Sequence, residues 1–182
     1  MQWANGDVYV GEWVQNEMSG YGKLTSPNGD VYEGQWWAGK KNGHGVCVFK
    51  DSSRYEGTWE DNEIHGRGHM TYPDGSQYEG SFVKSVKEGI GKMLLPNGDC
   101  YEGDWCGGYM HGQGVFVHHS NGGRYEGEWR YDQKSGYGVY LYPSGAIYEG
   151  NWEKDKKHGY GTLKDHRGGC YEGQWKAGKW KG

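Results

Sequence analysis

The sequence is poor in most of what holds an ordinary domain together. Only 34% of its 182 residues are hydrophobic and the mean hydropathy is -1.05, which excludes a thick aliphatic core. Proline numbers 4 against 36 glycines, so the glycine excess is not that of a disordered Pro/Gly linker. The 4 cysteines show no CxxC or paired spacing, and a reducing compartment is the expected setting. No apolar run approaches the length of a membrane span, and no charged n-region and apolar h-region precede the first tyrosines. Charge of one sign is also lacking: 20 basic and 24 acidic residues are spread along the chain, for a net charge of -4. That leaves no electrostatic footprint for nucleic acid, and any membrane association is expected to be weak or indirect.

What the chain has instead is aromatic: 10 tryptophans and 16 tyrosines, each able to bury a large surface. They are strictly phased. Taking one tyrosine as position 0, units start at Tyr9, Tyr32, Tyr55, Tyr78, Tyr101, Tyr125, Tyr148 and Tyr171, spaced by 23 residues with one step of 24. Position +1 is Glu in seven units, with Val10 the exception, and position +2 is Gly in all eight. Position +4 forms a row of Trp13, Trp36, Trp59, Phe82, Trp105, Trp129, Trp152 and Trp175. Positions +11 and +13 are Gly wherever they are reached, from Gly20 and Gly22 to Gly159 and Gly161. All four prolines (Pro27, Pro73, Pro96, Pro143) stand at +18, followed by Asn, Asp or Ser and then Gly. Such a period identifies a tandem array of supersecondary units.

Period 2 across Tyr, Gly and Trp predicts a strand with its rings on one face and Glu on the other. The apolar residue at +15, from Leu24 to Leu163, lies in a returning strand. A hairpin register with +4 opposite +13 and +2 opposite +15 would place the glycines as a flat floor beneath the indole. Asn, Gly or Asp at +7 suits the hairpin turn, with Ser85 departing from the pattern. The P-[N/D/S]-G link suits a type I turn that returns the chain antiparallel, and HHSNGGR in the fifth unit is the same turn one residue longer. The expected fold is all-β: an elongated, single-layer, twisted antiparallel sheet of about eight consecutive hairpins, a rod of roughly 75 Å. The expected domain is one array over residues 1–182. Trp3 aligns with +17 of a preceding unit and Gly182 with +11 of the last, so the array reads as a piece of a longer one.

A 23-residue unit of the form YEGxW…GxG…PNG resembles the MORN (membrane occupation and recognition nexus) repeat, and the resemblance covers nearly the whole chain. It implies the same elongated sheet of hairpins. Within the family, a chain made almost wholly of such units resembles the cytoskeletal scaffolds of the apicomplexan basal complex and budding ring. That likeness implies dimerisation through the C-terminal units, other cytoskeletal proteins as partners, and a cytoplasmic, cytoskeleton-associated location.

The residues themselves name no catalyst. The Glu row (Glu33, Glu56, Glu79, Glu102, Glu126, Glu149, Glu172) reads as a solvated stripe paired with basic neighbours, since a catalytic site needs one asymmetric constellation and not repeated copies. GxG is followed by no helix on which phosphate could sit. Cys47 falls at an inward position. Cys106 and His111 flank one hairpin turn, and with a two-fold copy across a dimer interface they would supply a ligand set suited to tetrahedral zinc; the alternative is a surface thiol beside an unrelated imidazole. The aromatic strip admits either self-association or a foreign helix or peptide. Lys154, Lys156 and Lys157 with Lys176, Lys179 and Lys181 are modest basic clusters that keep the chain soluble. The expected function is a non-enzymatic scaffold and dimerisation module supporting a cell-division or cortical ring, with a phospholipid-binding or lipid-enzyme adaptor as the alternative.

Overall fold

A computed structural model describes residues 1–181; Gly182, the last residue of the expected array, lies outside them. The chain divides into two compact units, Met1–Lys87 and Glu88–Gly182. The first holds β1 (Val8–Val14), β2 (Glu17–Thr25), β3 (Val31–Trp37), β4 (Lys40–Val48), β5 (Arg54–Glu60), β6 (Glu63–Thr71) and β7 (Gln77–Val83). Next come β8 (Val86–Leu94), most of it in the second unit, then β9 (Cys100–Cys106), β10 (Tyr109–Val117), β11 (Arg124–Arg130) and β12 (Gln133–Leu141). The last are β13 (Ile147–Glu153), β14 (Lys156–Lys164), β15 (Cys170–Lys176) and β16 (Lys179–Trp180). No helix forms among the described residues, and within each unit the strands follow one another in chain order. The expectation of an all-β single-layer array of hairpins is met.

Each hairpin turns on two residues in the left-handed region, such as Asp61 (φ 48°) with Asn62 (φ 73°) and Tyr131 (φ 49°) with Asp132 (φ 63°). This is the type I′ turn whose twist matches the flanking strands. The side chain at +7 has a second task, accepting the backbone N–H at +9 of the preceding unit: Asn62 from Lys41 (2.9 Å), Asp132 from Met110 (2.8 Å) and Asp155 from Lys134 (2.9 Å). Ser85 does the same for Ile64 at 3.1 Å. The residue that departed from the sequence pattern therefore keeps its chemistry. Between units, Gly29 N–H donates to the Ser26 carbonyl at 2.9 Å, closing the proline turn with Gly29 at φ 102°.

The register differs from the one expected. In β11 and β12, Tyr125 stands opposite Tyr140, Gly127 opposite Gly138 and Trp129 opposite Lys134; thus 0 faces +15, +2 faces +13 and +4 faces +9. A two-residue turn centred on +6 and +7 closes the hairpin earlier than a +4 to +13 pairing allows. The surplus is absorbed by a bulge in which one residue at +3 stands against three at +10 to +12. Glycine at +11 makes it passable, as at Gly136 with φ 56°.

This register moves the glycine floor from under the indole to under the phenol. A Cβ on Gly138 would lie 2.6 Å from Cε2 and Cζ of Tyr125. The phenol donates to the bulged +3 carbonyl, at 2.9 Å for Tyr125 and Glu128. The tryptophan instead joins units: Trp152 stands edge-on to its own Tyr148 (5.2 Å between centroids) and to Tyr125 of the preceding unit (5.3 Å). Its Nε1 donates to the Gly138 carbonyl at 3.1 Å. Each such edge-to-face pair contributes about 0.5–1.5 kcal/mol beyond the area it buries, so the ladder of rings is the core.

Burial pushes the phenols of Tyr55 and Tyr148 up to about 12. An unfolded tyrosine ionises near pH 10, so this contribution is whole below that pH and is lost as pH rises towards the folded values. Alkaline titration followed at the phenolate band is expected to show an early phase from exposed rings, then a late phase coinciding with loss of the sheet's circular dichroism. Complete ionisation with the sheet intact would contradict a tyrosine core.

Candidate functional site

The aromatic face is the first candidate, since it carries the predicted +4 row. Trp36, Trp59, Phe82, Trp105, Trp129, Trp152 and Trp175 are buried, while Trp13 is 37% exposed. Trp13 packs on its own Tyr9 and on Trp3. The opening tyrosines are buried from Tyr9 to Tyr148, and Tyr171 is 42% exposed. The row is therefore occupied with itself, and what it offers a ligand lies above it.

That upper layer comes from +9, whose side chain crosses the rings. Lys41 sits 4.9 Å from the Trp59 ring, Lys134 4.9 Å from Tyr140 and Lys157 4.6 Å from Trp175. Lys157, read from sequence as part of a solubilising cluster with Lys154 and Lys156, thus points over the aromatic face. In the first unit, Lys41 lines a groove of ≈ 530 Å³ with Asp30, Phe49, Asp51, Trp59 and Ile64.

The opposite face carries the Glu row, which is exposed, and five of its members are engaged. Glu56 pairs with Arg54 (2.7 Å), which holds its carboxyl below the usual range, and Glu126 pairs with Arg124 (2.6 Å). Glu33 and Glu172 accept from the hydroxyls of Tyr21 (3.4 Å) and Tyr160 (2.6 Å), and Glu149 from Tyr137. Exposed pairs of this kind stabilise little.

Sequence reading missed position +3. In four units its side chain accepts the +12 N–H that the bulge leaves unpaired: Glu12 from Tyr21 (3.0 Å), Gln35 from His44 (2.7 Å), Asp104 from Gln113 (2.8 Å), Glu128 from Tyr137 (2.8 Å), whereas the Thr58 hydroxyl donates to the Arg67 carbonyl at 3.3 Å. The signal was present, because +3 is a polar acceptor in every unit.

The two remaining breaks in the pattern lie in the second unit. At the hairpin turns, +5 and +10 are brought together, as in Glu60 with His65 (3.4 Å) and Glu153 with His158 (3.2 Å). In the fifth repeat these positions are Cys106, exposed, and His111, whose Nδ1 is buried without a hydrogen-bond partner. The His111 ring packs edge-on against Tyr131 at 5.1 Å. No group of three or more His, Cys, Asp or Glu able to hold a metal occurs among the described residues. Cys47 is buried and burial raises its thiol; Cys100 is partly buried and raised likewise, and Cys170 is exposed.

In the longer link, His118 N–H donates to the Gly123 carbonyl at 2.8 Å. Asp99 accepts the His119 N–H at 2.9 Å and meets His118 Nδ1 at 3.3 Å. Burial opposes ionisation of Asp99, but these bonds and one from Asn97 outweigh it and hold the carboxyl below its ordinary value. No helix of the described residues is long and apolar enough to cross a membrane.

Comparison with known proteins finds the MORN repeat at residues 9–31, 32–54, 55–77, 78–100, 101–122, 125–147, 148–170 and 171–182. No curated protein matches. Among solved structures, the chain is similar to the TCP domain of Drosophila melanogaster SAS-4 (dCPAP) in complex with a proline-rich motif of Ana2 (dSTIL). That likeness has 12% identity and a TM-score of 0.54, over 93% of this chain and 90% of that one. The TCP10c domain of Drosophila melanogaster Sas-4 has 11% identity and a TM-score of 0.49, over 93% and 99% of the two chains. The likeness is one of fold.

Proposed function

The chain belongs to the MORN repeat family, and on that premise we propose that it is a non-enzymatic scaffold whose hairpins dock protein partners and whose C-terminal units self-associate. One observation carries this reading: the side chains that recur along the repeats are engaged in holding the array. Tyr148 is 0% exposed beneath Trp175, but Tyr171 is 42% exposed. The exposed Tyr171 ring offers apolar surface to a second copy across a two-fold.

The finer reading follows the resemblance to apicomplexan basal-complex scaffolds: a cytoplasmic, cytoskeleton-associated module that supports a cortical or cell-division ring. A fold neighbour in complex with a short motif of another protein supports docking of protein segments. The unpartnered Nδ1 of His111 supports a zinc ion shared by two copies, since two copies of Cys106 and His111 would supply two thiolates and two imidazoles, one of the ligand sets of tetrahedral zinc.

Light scattering on the full chain tests the reading. A dimeric mass is expected, reduced by Tyr171→Lys at the edge, with a zinc-dependent gain in mass that Cys106→Ser removes. A monomer at micromolar protein, with or without zinc, would sink self-association. A zinc response that survives Cys106→Ser would sink the metal site.

A further inference from the structure

Position +9 separates what the fold needs from what it does not. Its side chain lies over the rings where it is lysine, and in other repeats the position is held without charge by Met18, Ile64 and Met110. The ammonium groups of Lys134 and Lys157 are therefore surplus to packing. Lys134 lies 4.9 Å from the Tyr140 ring and 5.6 Å from Trp152; Lys157 lies 5.2 Å from Tyr142 and 4.6 Å from Trp175.

In the first unit, the groove holding Lys41 also holds the carboxylates of Asp30 and Asp51. The repeat-equivalent residues around Lys134 are Gly123 and Ser144, and around Lys157 they are Ala146 and Arg167. The second unit thus keeps the cations without carboxylates at these two positions. Asp155 accepts the backbone N–H of Lys134, and Asp165 is spent on the N–H groups of Arg167 and Gly169. Among the described residues neither ammonium forms an ion pair. Burial lowers both lysines below their ordinary value, against a weaker opposing pull from Asp155 on Lys134.

A half-buried cation over aromatic rings gains most from an anion that arrives with its own apolar cover. We propose that this face of the second unit docks an acidic helix of a protein partner, its carboxylates reaching Lys134 and Lys157 and its apolar side chains resting on Tyr140 and Tyr142. The spacing fits. The lysines are one repeat apart, which across two antiparallel strands is roughly 10 Å, and seven residues of α-helix rise about 10.5 Å. A lipid headgroup would supply charge but leave the tyrosines bare. The proposal rests on the scaffold reading in one respect, that the chain docks protein partners.

Fluorescence anisotropy of two synthetic helical peptides of equal composition tests it on the full chain. One peptide carries glutamates seven residues apart beside an apolar stripe, and the other carries them scattered. The ordered peptide is expected to bind more tightly and to weaken with salt. Its affinity should fall about tenfold or more in Lys134→Met/Lys157→Met and stay unchanged in Lys41→Met. Methionine already occupies this position at Met18 and Met110, so the variants should fold, as circular dichroism will verify. Equal binding of the two peptides, or an unaffected double variant, overturns the proposal. So does binding confined to phosphatidylserine-containing vesicles. Dimeric mass in the same samples separates the two readings: if it persists without peptide binding, only this inference falls.

Discussion

Replacing Gly138 by valine is expected to destabilise the second unit by about 3 kcal/mol or more. Strand propensity alone points the other way, because valine is the better strand former, so the sign of the effect tests the packing. Gly138 stands on β12 between Gly127 of β11 and Gly150 of β13, and a Cβ there meets Cε2 and Cζ of Tyr125 at 2.6 Å. That ring cannot yield, since Trp129 and Trp152 close on it edge-first at 5.1 and 5.3 Å. Chemical denaturation of Gly138→Ala and Gly138→Val should show graded losses. Adding Tyr125→Leu to Gly138→Ala should cost less than the two changes summed, because removing the phenol removes the clash. Strict additivity would show that the glycine serves something other than the ring.

Tyr125→Ala is expected to cost about 4 kcal/mol, in the range for loss of a buried aromatic, whereas Tyr171→Ala should cost less than about 1 kcal/mol. Both tyrosines occupy position 0 and are chemically the same. They differ in cover: Tyr125 is 0% exposed and Tyr171 is 42% exposed, because Tyr125 has the next unit's tryptophan above it and Tyr171 has Trp180 at 5.8 Å. Losing Tyr125 also leaves the Glu128 carbonyl without its hydroxyl donor and takes one edge partner from each of two tryptophans. Since each hairpin contacts mainly its neighbours, hydrogen exchange should place the new protection loss in β11 to β13. Equal costs for the two tyrosines would mean that the inter-unit ring contacts contribute little.

The elements whose signals are local were legible from the residues. Asn62 and Asp132 announce hairpin turns, Pro27 and Gly29 the link between units, and alternation of Tyr32, Gly34 and Trp36 a strand with one aromatic face. The register was not legible. It depends on how the turn and the bulge share the surplus residues, and parity alone cannot distinguish +2 opposite +13 from +2 opposite +15, since both put the same side chains on the same face. The indole was accordingly assigned the floor that the phenol occupies. Position +3 was legible in principle, being polar from Glu12 to Gln174, but its meaning appears only once the bulge exposes a backbone N–H for it to receive. Ser85 looked like a departure until its hydroxyl was seen to take the place of a carboxamide. For the candidate sites, Cys106 and His111 were recognisable as adjoining a turn, while the lysines at +9 were not separable from ordinary surface cations.

By itself the sequence determined that the chain is a repeating all-β array, because a 23-residue period carrying strand, turn and link signals leaves each unit one local conformation. Only the tertiary structure decided which ring rests on which glycine, which tryptophan joins which unit, and where Lys134 and Lys157 point. Those outcomes turn on pairing between strands and on contacts across repeats, where side chains distant in sequence compete for the same few ångströms.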